Sequence, residues 1–161
     1  MWSNDDVKEI VFKRRKSYRN FSQKQIDEKL LSEIMDVGLC APVAGGIKSV
    51  KIQHINNEAD LKICYKASFY QKAIYKATAV ITVSVNLKMI EEKYKEPYAS
   101  SFALQNGAVA MMNMINFCSF NGIASCYIGG IRSELFQNNL CQEDERMVAI
   151  LLLGYEVEND K

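Results

Sequence analysis

The chain lacks most of what a self-sufficient catalytic apparatus is built from. Its 161 residues include one histidine, His54, so no two-histidine zinc motif exists. His54 lies in the alternating run Val50 to Ile55 and reads as a plain strand residue rather than a base. The cysteines number five, an odd count, and none form a Cys-x-x-Cys pair. That excludes a disulfide framework and a structural zinc site, and it fits a reducing cytoplasm. Proline occurs only 2 times and glycine 8 times in a chain that is 48% hydrophobic, which excludes collagen-like repeats, flexible linkers and disorder. Charge of one sign is missing too: 20 Lys and Arg oppose 19 Asp and Glu. No global field exists to hold nucleic acid or an anionic membrane. The strongest apolar run, Ala149-Ile150-Leu151-Leu152-Leu153, is far too short to cross a bilayer. The opening, Met1-Trp2-Ser3-Asn4-Asp5-Asp6, is polar and acidic, unlike a secretory signal. These absences predict one cytoplasmic domain over residues 1–161. If it is an enzyme, a bound cofactor carries the chemistry and no metal or catalytic side chain is expected.

What is present predicts alternating helices and strands. Ser3 with Asp6 three residues later forms a capping-box pair for a helix over 3–12. Ser22 with Gln25 repeats that signal ahead of a second helix, whose stripe is Ile26, Leu30, Leu31, Ile34 and Val37 and which should stop near Gly38. A strand follows at 50–55, then a short helix over 57–65. Residues 79–85, Ala-Val-Ile-Thr-Val-Ser-Val, form the best strand, central and covered on both faces. A charged amphipathic helix is expected at 87–95. Residues 98–120 make a long helix, apolar around much of its circumference at Phe102, Val109, Met111, Met112 and Ile115, and stopped by Asn121-Gly122. A helix so widely apolar is buried on more than one side, in the domain centre or in a subunit contact. A strand at 123–128, a Gly129-Gly130 turn, a short helix from Ser133 and a strand at 147–153 complete the chain. Such alternation favours a sheet layered with helices.

Three segments could carry chemistry. In Arg15-Lys16-Ser17-Tyr18-Arg19, an extended backbone would place Arg15, Ser17 and Arg19 on one side, two guanidinium forks and a hydroxyl suited to a phosphate. The same residues could be a solvated basic helix end, or less readily a nucleic-acid patch. In Ala41-Pro42-Val43-Ala44-Gly45-Gly46-Ile47-Lys48-Ser49, Ile47 breaks the Gly-Lys-[Ser/Thr] adjacency of a phosphate loop. What remains is either a plain helix-to-strand connection or small side chains that let backbone approach a flat ligand. Cys126-Tyr127-Ile128-Gly129-Gly130 ends a strand with paired glycines, as a simple turn or as backbone N–H groups aimed at a ligand.

Taken in order, these segments, the long Ala-rich helix and the closing Leu151-Leu152-Leu153-Gly154-Tyr155 resemble the nitroreductase family of FMN-dependent oxidoreductases, from about Ile10 to Tyr155. Residues 15–21 match the family's Arg-Arg-Ser-x-Arg-x-Phe opening with Lys16 as the second residue, and Ala41 to Gly46 is similar to its Ala-Pro-Ser-Ala-Gly loop. The Gly-Gly ending is closest to the subgroup related to azoline-forming peptide oxidases. The resemblance implies an α+β fold, an α/β/α three-layer sandwich with a central, mostly antiparallel sheet, and a homodimer with FMN between subunits. It implies that Arg15, Lys16, Ser17 and Arg19 hold the phosphate and ribityl chain. Pro42, Val43, Ala44, Gly45 and Gly46 would line the isoalloxazine ring, with Ile128, Gly129 and Gly130 at its N5–O4 edge. Gln105, with Asn106, would lie on the helix that forms the dimer contact. Reduced NAD(P)H would give a hydride to flavin N5, and a nitroaromatic, quinone or similar small acceptor would take the electrons in a ping-pong cycle. A catalytically degenerate flavin-binding or partner-binding protein of the same fold is the alternative.

The sequence departs from the family at Val43, where serine is usual, and at Gly46, Lys48 and Ser49, where Asn, Gln and Pro are common. Many members carry basic residues after Leu-Gly-Tyr, whereas residues 156–161 here are Glu-Val-Glu-Asn-Asp-Lys. Only Lys161 could stand in for them.

Overall fold

In the computed structural model, which describes residues 3–13, 15–137 and 139–157, the amino end begins as the sequence predicts. The Ser3 hydroxyl accepts from the Asp6 N–H at 3.1 Å, while the Asp6 carboxylate accepts from the Ser3 N–H at 2.9 Å. This box starts helix α1 (Asn4–Lys8), which tightens no further but widens into a π-helical turn, Glu9–Lys13. Arg14 and Lys161 lie outside the described residues.

Helix α2 (Glu28–Leu39) is capped by Asp27, whose carboxylate accepts from Lys29 N at 3.0 Å and Leu30 N at 3.3 Å. Ser22 is therefore not its cap. The Ser22 N–H donates to the Tyr155 carbonyl at 2.9 Å, a tertiary bond that keeps this stretch extended. Ile26 is buried ahead of the helix rather than on its first turn. Helix α2 ends at Leu39, next to Gly38 as expected, and Gly38 is also a close contact, because a Cβ there would lie 2.9 Å from Met114 Cγ and 2.5 Å from Ile52 Cδ1.

Strand β1 (Val50–Ile55) leads to α3 (Glu58–Ala67), capped by Asn57, and then to strand β2 (Ala79–Asn86). Helix α4 (Leu87–Glu91) stops short of the expected 95, and turns carry the chain to Pro97. Helix α5 (Tyr98–Phe120) has the predicted bounds, and Gly122 at φ 68° turns the chain after it. Strand β3 (Ala124–Ile128), the short helix α6 (Glu134–Gln137) and strand β4 (Glu145–Gly154) follow. Strand β4 starts two residues earlier than expected because Glu145 and Arg146 pair with Asn86 and Val85.

The four strands lie in the order β1-β2-β4-β3, all antiparallel. Strands β2 and β4 are central, so their apolar character is nearly continuous. Period-two alternation divides it between two layers. Ile81, Val83, Ala149, Leu151 and Leu153 pack with residues of α2, α4 and α5 on one face. Val80, Ile150 and Leu152 pack with Cys64, Ala67 and Phe136 from α3 and α6 on the other. The result is the α/β/α three-layer sandwich. Its two edge strands, β1 and β3, are three strand spacings apart, about 14 Å.

Candidate functional site

The cationic segment runs extended along the start of β3. The Tyr18 N–H donates to the Ser125 carbonyl at 3.0 Å, which fixes residues 15–20 beside that edge strand. Arg15, Lys16, Ser17 and Arg19 are all exposed there. Arg19 is close enough to Cys126 to pull its thiol pKa down, against the larger upward push of burial. Lys16 pairs with Glu156 at 3.0 Å, its ammonium 4.7 Å from the centre of the Tyr18 ring. The Tyr18 hydroxyl donates to the same carboxylate at 3.4 Å. Burial first, and Glu156 second, raise the phenol above its ordinary pKa. A cleft of about 150 Å³ lies against this segment, with Arg15, Lys16, Ser119, Gly122, Ser125 and Glu156 in its wall.

The second segment forms a 3₁₀ turn, Ala44–Gly46, between α2 and β1. Gly45 and Gly46 have φ of 61° and 74°, the left-handed region that glycine enters without strain. A side chain at Gly45 would also strike the Tyr94 hydroxyl, 2.5 Å from an added Cβ, whereas Gly46 faces open space. Asn106, buried within α5, holds the turn: its Oδ1 accepts from Ala44 N at 2.8 Å and its Nδ2 donates to Ser49 Oγ at 3.4 Å. Lys93 donates to the Gly45 carbonyl at 3.3 Å. Two clefts adjoin the turn. One of about 390 Å³ is lined by Pro42 to Gly45, Phe102, Gln105, Asn106 and Val109. The other, about 670 Å³, is lined by residues 38–43 with Gly46, Lys48 and Val50.

Gly129 and Gly130 are exposed at the end of β3, and Ile128 is buried. Neither glycine adopts a left-handed φ, so backbone freedom is not their use. A Cβ on Gly129 would lie 2.7 Å from the Tyr127 ring, so glycine there makes room for that ring. Two residues after Gly130, the Arg132 N–H donates to the Ala67 carbonyl at 2.9 Å, tying the turn to the end of α3.

The structure thus brings residues 15–19 and 128–130 to one edge strand, β3. It does not bring the 42–46 turn to them. Asn106 holds that turn, while Ser119 walls the cleft at Arg15, and these positions on α5 are about 20 Å apart along the helix axis. Gln105 lines the cleft at the turn and bonds Ser101 Oγ at 3.2 Å. Along this stretch and one turn to either side, α5 exposes Leu104 (43%), Val109 (37%), Met112 (42%) and Phe120 (45%), apolar side chains without cover in the single chain.

Sequence reading missed the work of Asn106, Tyr18 and Glu156. An amide on so widely apolar a helix is a weak signal for Asn106, shared with Gln105, Asn113 and Asn116, because buried polar groups are bonded. No local signal marks the Lys16–Glu156 pair. Other chemistry is sparse. Burial pushes the thiols of Cys64 and Cys118 up to about 12 and that of Cys141 up to about 11, keeping them protonated. Among the described residues, no group of three or more His, Cys, Asp or Glu could hold a metal ion, and no helix is long and apolar enough to cross a membrane.

Comparison with solved structures gives the same fold at low identity. A nitroreductase family protein from Clostridium difficile 630 superposes with a TM-score of 0.80 at 20% identity, over 94% of this chain and 85% of that one. Nitroreductase A from Vibrio parahaemolyticus gives 0.82 at 17% identity, over 99% and 71%. A nitroreductase family protein from Streptococcus pneumoniae TIGR4 gives 0.80 at 17%, over 94% and 91%. No curated protein matches the sequence. The sequence profile of the nitroreductase family matches residues 12–69 and 56–155, which together span most of the chain. With the layered sheet and the segments above in place, this chain belongs to the nitroreductase family, a family of oxidoreductases.

Proposed function

We propose that the chain is an FMN-dependent NAD(P)H oxidoreductase that works as a homodimer in the cytoplasm, reducing a small acceptor such as a nitroaromatic or a quinone. One observation carries this reading. Two segments suited to opposite ends of a flavin nucleotide lie about 20 Å apart along α5, which exposes uncovered apolar side chains over the same stretch. A single chain would hold such a ligand by one half only. Two copies packed through those side chains, related by a twofold axis, would set the turn of one beside the β3 edge of the other.

The donor set fits FMN. Arg15, Ser17 and Arg19 are exposed along one extended segment, where charge-assisted bonds to a phosphate need no rearrangement of the core. Lys16 stands with them but is shared with Glu156. The turn from Pro42 to Gly46 carries only small side chains, and its two left-handed glycines let backbone rather than side chain meet a flat ring. Val43 gives that ring an apolar contact where the family commonly has a hydroxyl. The strand end at Ile128, Gly129 and Gly130 would meet the ring's polar edge with backbone N–H groups. When bound, FMN supplies a two-electron carrier between reduced nicotinamide and acceptor, so the protein's task is to hold, orient and cover. Asn106 does the orienting, since it fixes the turn's backbone at Ala44.

The test is the visible spectrum of the purified protein with added FMN. A flavin band that bleaches with NADH or NADPH and returns with a nitroaromatic or quinone supports the proposal. A bound band that stays oxidised favours the degenerate flavin-binding reading instead. Sedimentation of a monomer at micromolar concentration would remove half of the proposed groove.

A further inference from the structure

We propose that Glu156 is a built-in competitor for the phosphate of the flavin nucleotide, so that the chain discriminates weakly between FMN and its phosphate-free form. The inference rests on the FMN reading above. The carboxylate takes the Lys16 ammonium at 3.0 Å and the Tyr18 hydroxyl at 3.4 Å, and these residues are part of the wall of the cleft that Arg15 also lines. A phosphoryl group seeks the same kind of charge-assisted donors as a carboxylate. At about 150 Å³ the cleft has space of about five water molecules, enough for a phosphoryl group and too little for a three-ring flavin.

Glu156 is not placed there by a wandering tail. Its neighbour Tyr155 accepts from Ser22 N at 2.9 Å, and the Lys24 ammonium lies 4.1 Å from the centre of the Tyr155 ring. The carboxylate is therefore held at the mouth of the cationic segment by backbone and ring contacts one residue away. An incoming phosphate, carrying nearly two negative charges, must break the Lys16–Glu156 pair and then tolerate the displaced carboxylate as a neighbour. Riboflavin, which has the same ring and ribityl chain but no phosphate, meets neither obstacle. Both partners are partly exposed, at 53% and 44%, so water and salt screen the effect and keep it moderate.

The experiment titrates FMN and riboflavin separately into the full chain and into the variants Glu156→Gln and Glu156→Ala, following quenching of flavin fluorescence at neutral pH and low salt. Both variants should bind FMN about two- to fivefold more tightly than the parent, while riboflavin affinity stays unchanged. FMN affinity that is unaltered or weaker in both variants overturns the proposal, as does an equal tightening for both flavins, which would mark a general effect on the fold. If neither parent nor variants bind either flavin, the FMN reading itself fails and the inference falls with it. Failure of the inference alone is recognised by an FMN affinity that is measurable and indifferent to residue 156.

Discussion

The Ala44 N–H donates to Asn106 Oδ1 at 2.8 Å, a bond that spans 62 positions and hangs the turn before β1 from the middle of the longest helix. Asn106 is 3% exposed, the one amide among the buried residues of α5, and its other amide atom reaches Ser49 at 3.4 Å. The turn's shape is thus decided by α5 and not by its own residues alone.

Asn106→Leu should lower unfolding stability by about 1–3 kcal/mol, because the Ala44 N–H and the Ser49 hydroxyl lose their buried partner. Urea unfolding would read this as a lower midpoint with an unchanged slope. A midpoint equal to that of the parent would show that the turn is held by other contacts.

Gly38→Ala tests the contact of α2 with α5. The added methyl would sit 2.5 Å from Ile52 Cδ1 and 2.9 Å from Met114 Cγ, so both side chains must move. A loss of about 1–3 kcal/mol is expected, despite alanine's better helix propensity. Thermal unfolding measures it directly, and a variant more stable than the parent would mean that the two helices are less closely packed than described.

Arg19→Ala addresses the phosphate side of the proposed site. Arg19 is exposed on an extended segment, so its removal should leave the fold intact by circular dichroism. FMN affinity should fall about ten- to a hundredfold, the worth of one or two charge-assisted bonds. An unaltered FMN titration would count against residues 15–19 as the phosphate holder.

His54 carries a pH dependence of known sign. Partial burial in β1 lowers its pKa below the ordinary 6.5. The unfolded chain therefore takes up the proton first as pH falls, and the stability from this residue, fully present above 6.5, is lost on descending through the folded-state value. Replacing His54 with Gln should flatten the dependence of the urea midpoint on pH below neutrality. Identical slopes for parent and variant would place the titrating group elsewhere.

Much of this architecture was legible before any folding. The Ser3–Asp6 box, the bounds of β1 and α5, and the burial of β2 on both faces follow from local periodicity and capping, which depend on residues close in sequence. The cationic segment and the small-residue turn were legible for the same reason, as short runs with their own chemistry. Where the reading of helix α2 failed, at Ser22, the competing partner was Tyr155, far along the chain and invisible to a capping rule.

The sequence by itself determined where most helices and strands lie and which short runs carry clustered cations or small residues, because each depends on residue types and spacings within a few positions. Tertiary structure alone decided the strand order, the pairing of Lys16 with Glu156, the close contact of Gly38 with Ile52 and Met114, and the distance along α5 between the cationic segment and the 42–46 turn. Those outcomes come from contacts between residues distant in the chain, where packing space and charge, not local preference, select the neighbour.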